Sequence, residues 1–351
     1  MKVVAYSIKP FEKEFLAKAN QKKHGITLIS NALSLETVTY AEGKDAVIVF
    51  TNDDVSAKVI EKLAAIGIKY IATRSVGVDH IDKDAAATYG IKIANVPWYS
   101  PQAIAEHAVA LAFALNRQII KANQHSHAFD FRNDELIGFN FFGKTVGVIG
   151  LGNTGLAAAK IFHGLGCNVL GYDLYFQENT DYVKSVALAE LLSSADIISL
   201  HLPLTSSTNH FINADTLKQM KDGVMLINTS RGAVIDTRQV LKALDYGKIG
   251  YLGLDVYEFE KGLFFENHKN DEEKDHLLQV LMAQPNVLIT PHQAYLTKEA
   301  LQEIANQTIK NLDLWELNKC VGDACICAKD CRVNNVTDNT KTIYNEPARR
   351  A

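Results

Sequence analysis

Residues 146–155, VGVIGLGNTG, carry four small or branched apolar residues into Gly150, Gly152 and Gly155. The pattern is a strand feeding a glycine-rich turn, and the residues after it, LAAAKIFHGLG, are helical in character. Such a turn lets the main chain approach a pyrophosphate closely and aims a helix amino terminus at it. On its own a G-x-G-x-x-G run is a weak signal, because glycine turns are common. Context strengthens it: the next strand pattern ends in Asp173, eighteen residues after Gly155. A carboxylate there accepts hydrogen bonds from adenosine ribose hydroxyls and repels a 2′-phosphate, which predicts NAD rather than NADP. What is unusual is the position, since nearly 150 residues precede the motif.

Those residues have a texture of their own. The runs VVAYS, ITLIS, AVIVFT, KYIATR and IKIANV alternate with helical patterns such as DDVSAKVIEKLAAIG, a βαβ series that builds a parallel sheet. The stretch SPQAIAEHAVALAFALNRQIIKANQ then predicts one long helix, with Ser100 as its cap and Pro101 in its first turn. A second series follows from Thr145 with six strands, TVGVIG, NVLGYD, DIISLHL, VMLINTS, YLGLDV and NVLITPH, as a doubly wound dinucleotide domain requires. The amphipathic LTKEALQEIANQTIKNLDLWEL closes the pattern. The fold class is therefore α/β, with two doubly wound parallel sheets.

Composition bounds the function. The 351 residues exceed one comfortable core, which predicts two domains. A net charge of −4 with no basic stripe argues against nucleic acid. The amino terminus has no secretory pattern, and the apolar run Ala103 to Leu115 is interrupted by Glu106 and His107 and too short for a bilayer, so a cytoplasmic protein without membrane partners is expected. Cys167 stands alone, whereas Cys320, Cys325, Cys327 and Cys331 crowd near the carboxyl end without zinc-like spacing. Incidental thiols, a metal site and disulfides all remain open for that cluster, and no role is assigned to it. Residues 332–351 are polar and aperiodic, the pattern of a disordered tail.

Three stretches at predicted strand ends carry chemistry. NTSRGAVID supplies Arg231, a planar fork for a carboxylate or carbonyl oxygen; GLDVYEFE supplies Asp255 and Glu260; ITPHQAY supplies His292. Taken singly, these read equally well as a surface cation, a solvated acidic run and a capping or core histidine. Jointly they place an anion clamp, a carboxylate and an imidazole beside a nicotinamide, the set that hydride exchange with a 2-oxo acid needs.

The chain resembles the D-isomer-specific 2-hydroxyacid dehydrogenase family over roughly residues 1–318, and within it the fermentative D-lactate branch. The resemblance rests on SVGVDHID at 75–82, VPWYSPQAIAEHA at 96–108, GLGNTG at 150–155, HLPLT at 201–205, INTSRGAVID at 227–236, GLDVYEFE at 253–260 and TPHQAYLT at 290–297. It implies a split organisation. Residues 1–100 and 296–331 would form a flavodoxin-like substrate domain, with a Rossmann NAD domain, 101–295, inserted into it. It further implies that His292 donates a proton, Glu260 supports it in its charged form, and Arg231 grips the substrate. The N–H groups of Val76 and Gly77 would meet the substrate carboxylate. Tyr99 and Tyr295 would wall the side-chain pocket or, alternatively, pack the hinge. For NAD, the implied bed is Gly150, Gly152, Asn153, Thr154, Gly155, Asp173, Leu202, Pro203, Thr208, Thr229, Ser230, Arg231 and Asp255. Asn153 and Thr154 depart from the family's frequent His-Ile or Lys-Ile pair. The implied activity is reversible NADH-dependent reduction of pyruvate to D-lactate by a homodimer or homotetramer, regenerating NAD⁺ in fermentation. Reduction of larger 2-oxo acids, and a dimeric NADH-sensing scaffold resembling transcriptional co-repressors, are the alternatives.

Overall fold

The structure, a computed structural model, describes residues 1–175 and 180–326. The predicted tail, with Cys327 and Cys331, lies outside the described residues. Five strands, β1 (Lys2–Ala5), β2 (Gly25–Leu28), β3 (Ala46–Val49), β4 (Tyr70–Thr73) and β5 (Lys92–Ala94), pair in the order β2-β1-β3-β4-β5. Every pair is parallel. Seven more, β6 (Thr145–Ile149), β7 (Asn168–Tyr172), β8 (Lys184–Ser185), β9 (Ile197–Leu200), β10 (Val224–Asn228), β11 (Ile249–Leu254) and β12 (Val287–Ile289), form a second parallel sheet, β12-β11-β10-β9-β6-β7-β8. The first order is flavodoxin-like and the second Rossmann-like. All predicted strands are present; the addition is the two-residue β8 at an edge, too short to leave a periodic trace in the sequence.

Helices cover both faces of each sheet, so central strands such as AVIV of β3 and VMLIN of β10 are buried along their whole length. The closing helix, Lys298–Glu316, capped by Thr297, returns to the first sheet. Its Ala305, Ile309, Leu312 and Trp315 pack with Val3, Ala5, Ile48 and Ala72. Burying a side chain such as Leu312 contributes about 1.5–3 kcal/mol. Asn311 Nδ2 adds a buried bond to the Asn95 carbonyl at 3.0 Å.

The expected long helix after Ser100 differs from the sequence reading in two ways. Ser100 caps it and Pro101 opens it as expected, but it stops at Asn116; Gln118 is left-handed (φ 50°) and a second helix, Ile119–His127, follows. A tertiary contact accounts for the break: buried Asn116 exchanges two bonds with the backbone of Phe139, at 2.7 and 2.8 Å, which apolar spacing cannot register. Ala105, Ala108, Leu111, Ala112 and Leu115 of the first helix pack inside the chain with Val146, Val148, Ala158 and Phe162. Among the described residues no helix is long and apolar enough to cross a membrane.

Candidate active site

The second sheet reverses its winding between β6 and β9, where α/β sheets bind ligands beyond their carboxyl ends. The glycine turn sits there. Gly150 has φ +92°, and a Cβ on it would lie 2.4 Å from the His201 carbonyl oxygen. A Cβ on Gly155 would lie 1.8 Å from the Gly150 oxygen, whereas one on Gly152 would meet nothing within 4 Å. Gly152 caps the helix Asn153–Gly164, so that helix's first turn faces open space. Asp173 is drawn over the turn: its carboxylate accepts from the Leu151 N–H and the Tyr175 N–H, both at 2.8 Å.

A cleft of about 460 Å³ continues from this turn, lined from both sheets. Thr154, Leu202, Pro203, Thr229, Ser230, Arg231, His292, Val76, Gly77, Tyr99 and Tyr295, all expected at the site, line it. Gly152, Asn153 and Gly155 line a smaller adjoining recess together with Trp98 and Tyr99. The Thr229 hydroxyl is buried with no partner among the described residues. That orphaned group, the open space above Gly152 and the carboxylate of Asp173 fit a dinucleotide.

Thr208 and Asp255, also expected in the cofactor bed, are hydrogen-bonded to the loops beside it. The Thr208 hydroxyl donates to the Pro203 carbonyl at 2.5 Å and accepts from Thr205 N–H at 2.8 Å, bracing the cleft-lining turn from behind. Asp255 is buried, and its carboxylate accepts from the Thr290 hydroxyl (2.6 Å) and the N–H groups of Gln293 (2.9 Å) and Ala294 (2.8 Å). His107 approaches it at 3.3 Å. Asp255 therefore organises the histidine loop.

His292 is held on that loop in a left-handed conformation, φ 52°. Its N–H donates to the Asp255 carbonyl at 2.8 Å, and its Nδ1 lies 2.8 Å from Glu260 Oε1. Glu260 is fixed in turn by the Tyr257 N–H on Oε2, 3.0 Å. A carboxylate at Nδ1 selects the tautomer with Nδ1–H toward Glu260, leaving Nε2 to face a ligand. Across the cleft, Arg231 Nε donates to Asp79 at 3.1 Å and Nη1 to the Ser230 carbonyl at 2.9 Å. Burial alone would raise the Asp79 carboxyl, but the charge and hydrogen bond of Arg231 prevail and hold it below the usual carboxylate range. A Cβ on Gly77 would lie 1.5 Å from Arg231 Nη2, so the guanidinium lies directly against this glycine. The loop is pinned through its carbonyls, Val76 by Asn95 Nδ2 and Gly77 by Ser75 Oγ. Among the described residues the Val76 and Gly77 N–H groups have no acceptor. Two free N–H groups beside a guanidinium form an anion cradle.

Two further lining side chains are neutral. Burial pushes the Tyr99 phenol up to about 12 and the His201 imidazole down to about 4, so near neutrality the first keeps its proton and the second carries no charge. Sequence reasoning missed Asp79, His201, Phe50 and Arg74 as lining residues, although the first two lie inside motifs it quoted.

The sequence model of the D-isomer-specific 2-hydroxyacid dehydrogenase NAD-binding domain matches residues 109–294. D-lactate dehydrogenase of Escherichia coli K12 is 43% identical over 318 residues, 89% of this chain and 96% of that protein. An aromatic 2-oxoacid reductase of Clostridium sporogenes is 38% identical over 93% of this chain and all of its own length. The solved pyruvate reductase of Chlamydomonas reinhardtii superposes with a TM-score of 0.85 at 40% identity, covering 92% of this chain and 98% of that one.

Proposed function

The chain belongs to the D-isomer-specific 2-hydroxyacid dehydrogenases, NAD-dependent oxidoreductases acting on CH–OH groups, and we propose that within them it is a D-lactate dehydrogenase, reducing pyruvate to D-lactate in fermentative NAD⁺ regeneration. The observation that carries this reading is the pairing of His292 with Glu260 opposite an anion cradle built from Arg231, Val76 and Gly77.

NAD would be held by the turn Gly150–Gly155, Asp173, Leu202, Pro203, Thr229 and Ser230. When bound as NADH it supplies the hydride that adds to C2 of the oxo acid. The chain's own residues do the rest. Val76 N–H, Gly77 N–H and Arg231 fix the substrate carboxylate and polarise the carbonyl. His292 gives its Nε2 proton to the carbonyl oxygen as that oxygen gains negative charge, producing the hydroxyl; in the reverse direction neutral Nε2 takes that proton back. Glu260 stabilises the imidazolium and keeps the ring turned toward the cleft. Thr208 and Asp255 support this machinery from behind.

Residues 1–100 and 296–331 are read as the substrate domain and 101–295 as the NAD domain, an assignment supported by the closing helix packing with β1, β3 and β4. The exposed apolar side chains of Ile119, Ile120, Phe129, Phe131 and Phe142 suit contact with a second copy, giving a homodimer or homotetramer. A monomer by light scattering contradicts that. A cytoplasmic setting suits the free, buried thiol of Cys167. Similarity to an aromatic 2-oxoacid reductase, 38% identical over 93% of the chain, favours a second reading, reduction of larger 2-oxo acids. NADH oxidation with a panel of 2-oxo acids, followed by chiral analysis of the product, tests these readings. The highest kcat/KM with pyruvate and formation of D-lactate are expected. L-lactate contradicts the reading, and absence of turnover with every oxo acid points to a binding scaffold.

A further inference from the structure

Phe50, at the carboxyl end of β3, lines the cleft beside Tyr295, with ring centroids 5.7 Å apart. Its other neighbours are unusual for a pocket wall. The guanidinium of buried Arg74 lies 5.3 Å from its ring centroid, and Phe265, from the segment that follows Glu260, meets it edge-on at 5.4 Å. Phe265 also lies 5.6 Å from the His292 ring. One aromatic residue on the second-sheet side thus touches both a wall of the cleft and the candidate proton donor.

Phe265 is held there by a residue from the opposite side. Its φ is +70°, a left-handed conformation that a bulky side chain keeps only where its surroundings fix it. Lys9 Nζ donates to the Phe265 carbonyl at 2.8 Å and pairs with Glu266 at 3.5 Å. Glu12 ties this to the other flank of Phe50: Oε2 accepts from the Lys9 N–H at 2.9 Å and Oε1 from Arg74 Nε at 3.0 Å. Phe50 is clamped between two groups joined through Glu12.

Resting on the 2-oxo acid reading above, we infer that Phe265, fixed by Lys9, is a positioning residue for Phe50 and sets the size of the 2-oxo acid side chain that the cleft accepts. An edge-to-face ring pair resists tilting of either partner. With Phe265 in place, Phe50 stays against Tyr295 and the far end of the cleft is closed to a phenyl group. Without it Phe50 can tilt into the vacated space and admit one. A hydrophobic wall discriminates by about 10–200-fold per group gained or lost, which sets the scale of the effect.

The ratio of kcat/KM for pyruvate to that for phenylpyruvate reads this directly, because partial unfolding lowers both values and leaves their ratio unchanged. Phe265→Ala is expected to shift the ratio toward phenylpyruvate by about 10-fold or more, and the milder Phe265→Leu by about 3-fold. Lys9→Met is expected to shift it in the same direction by about 3-fold, and Lys9→Arg, which keeps a cationic donor, to restore the wild-type ratio. KM for NADH stays at the wild-type value in all four. An unchanged ratio in both Phe265 variants overturns the inference while leaving the pyruvate reading intact, and Lys9→Arg shifting as far as Lys9→Met removes Lys9 from it. Absence of turnover of either oxo acid by the wild-type chain overturns the reading and the inference together.

Discussion

Two glycine-bearing loops, one at each sheet, differ in what their glycines make room for. At Gly150 and Gly155 the atoms that exclude a Cβ are backbone atoms of the same sheet region, the His201 and Gly150 carbonyls. At Gly77 the nearest excluding atom is Nη2 of Arg231, a side chain that arrives from the end of β10 across the cleft, with the Asp79 carboxylate it pairs with next to it. On the proposed reading, the first turn is a cofactor bed whose closest packing comes from its own sheet. The second makes room for a cation from the other sheet, so on that reading the substrate grip exists only when both sides meet.

The contrast can be broken in order of expected effect. Loss of the proton donor is the largest. His292→Ala should lower kcat for pyruvate reduction by about 10²- to 10⁴-fold while NADH still binds, as fluorescence titration would report. Near-normal turnover would remove His292 from the chemistry. Next comes Gly155→Ala. Its Cβ meets backbone, which cannot swing aside, so the turn must move and NADH affinity should fall about 10- to 100-fold, the worth of one or two charge-assisted hydrogen bonds. Wild-type affinity would show that the turn is not the cofactor bed.

What the sequence disclosed follows the same division. The glycine turn, Asp173 and the order of strands were legible because each is a local pattern: a period, a turn residue, a carboxylate at a strand end. His292 and Glu260 were legible as members of motifs, and their 2.8 Å contact agrees with the expected pairing. Asp79 escaped notice because its partner lies 152 residues away. The break after Asn116 escaped for the same reason, its cause being Phe139. Thr208 and Asp255 were expected at the cofactor, yet their oxygens are engaged by neighbouring loops. A polar residue's place in a motif tells that it is needed near a site, while only its hydrogen bonds tell whether it faces the ligand or the loop behind.

Gly77→Ala tests the central contrast most directly. The new Cβ meets the guanidinium end of Arg231 and, at 2.9 Å, the Asp79 carboxylate paired with it, side-chain ends rather than backbone, so the fold should tolerate it while Arg231 is displaced from the cradle. Measured on that one variant, the NADH dissociation constant should remain at the wild-type value and KM for pyruvate should rise about 10- to 100-fold. A KM that does not change, or NADH binding lost along with it, would contradict a grip assembled across the cleft over an independent cofactor bed.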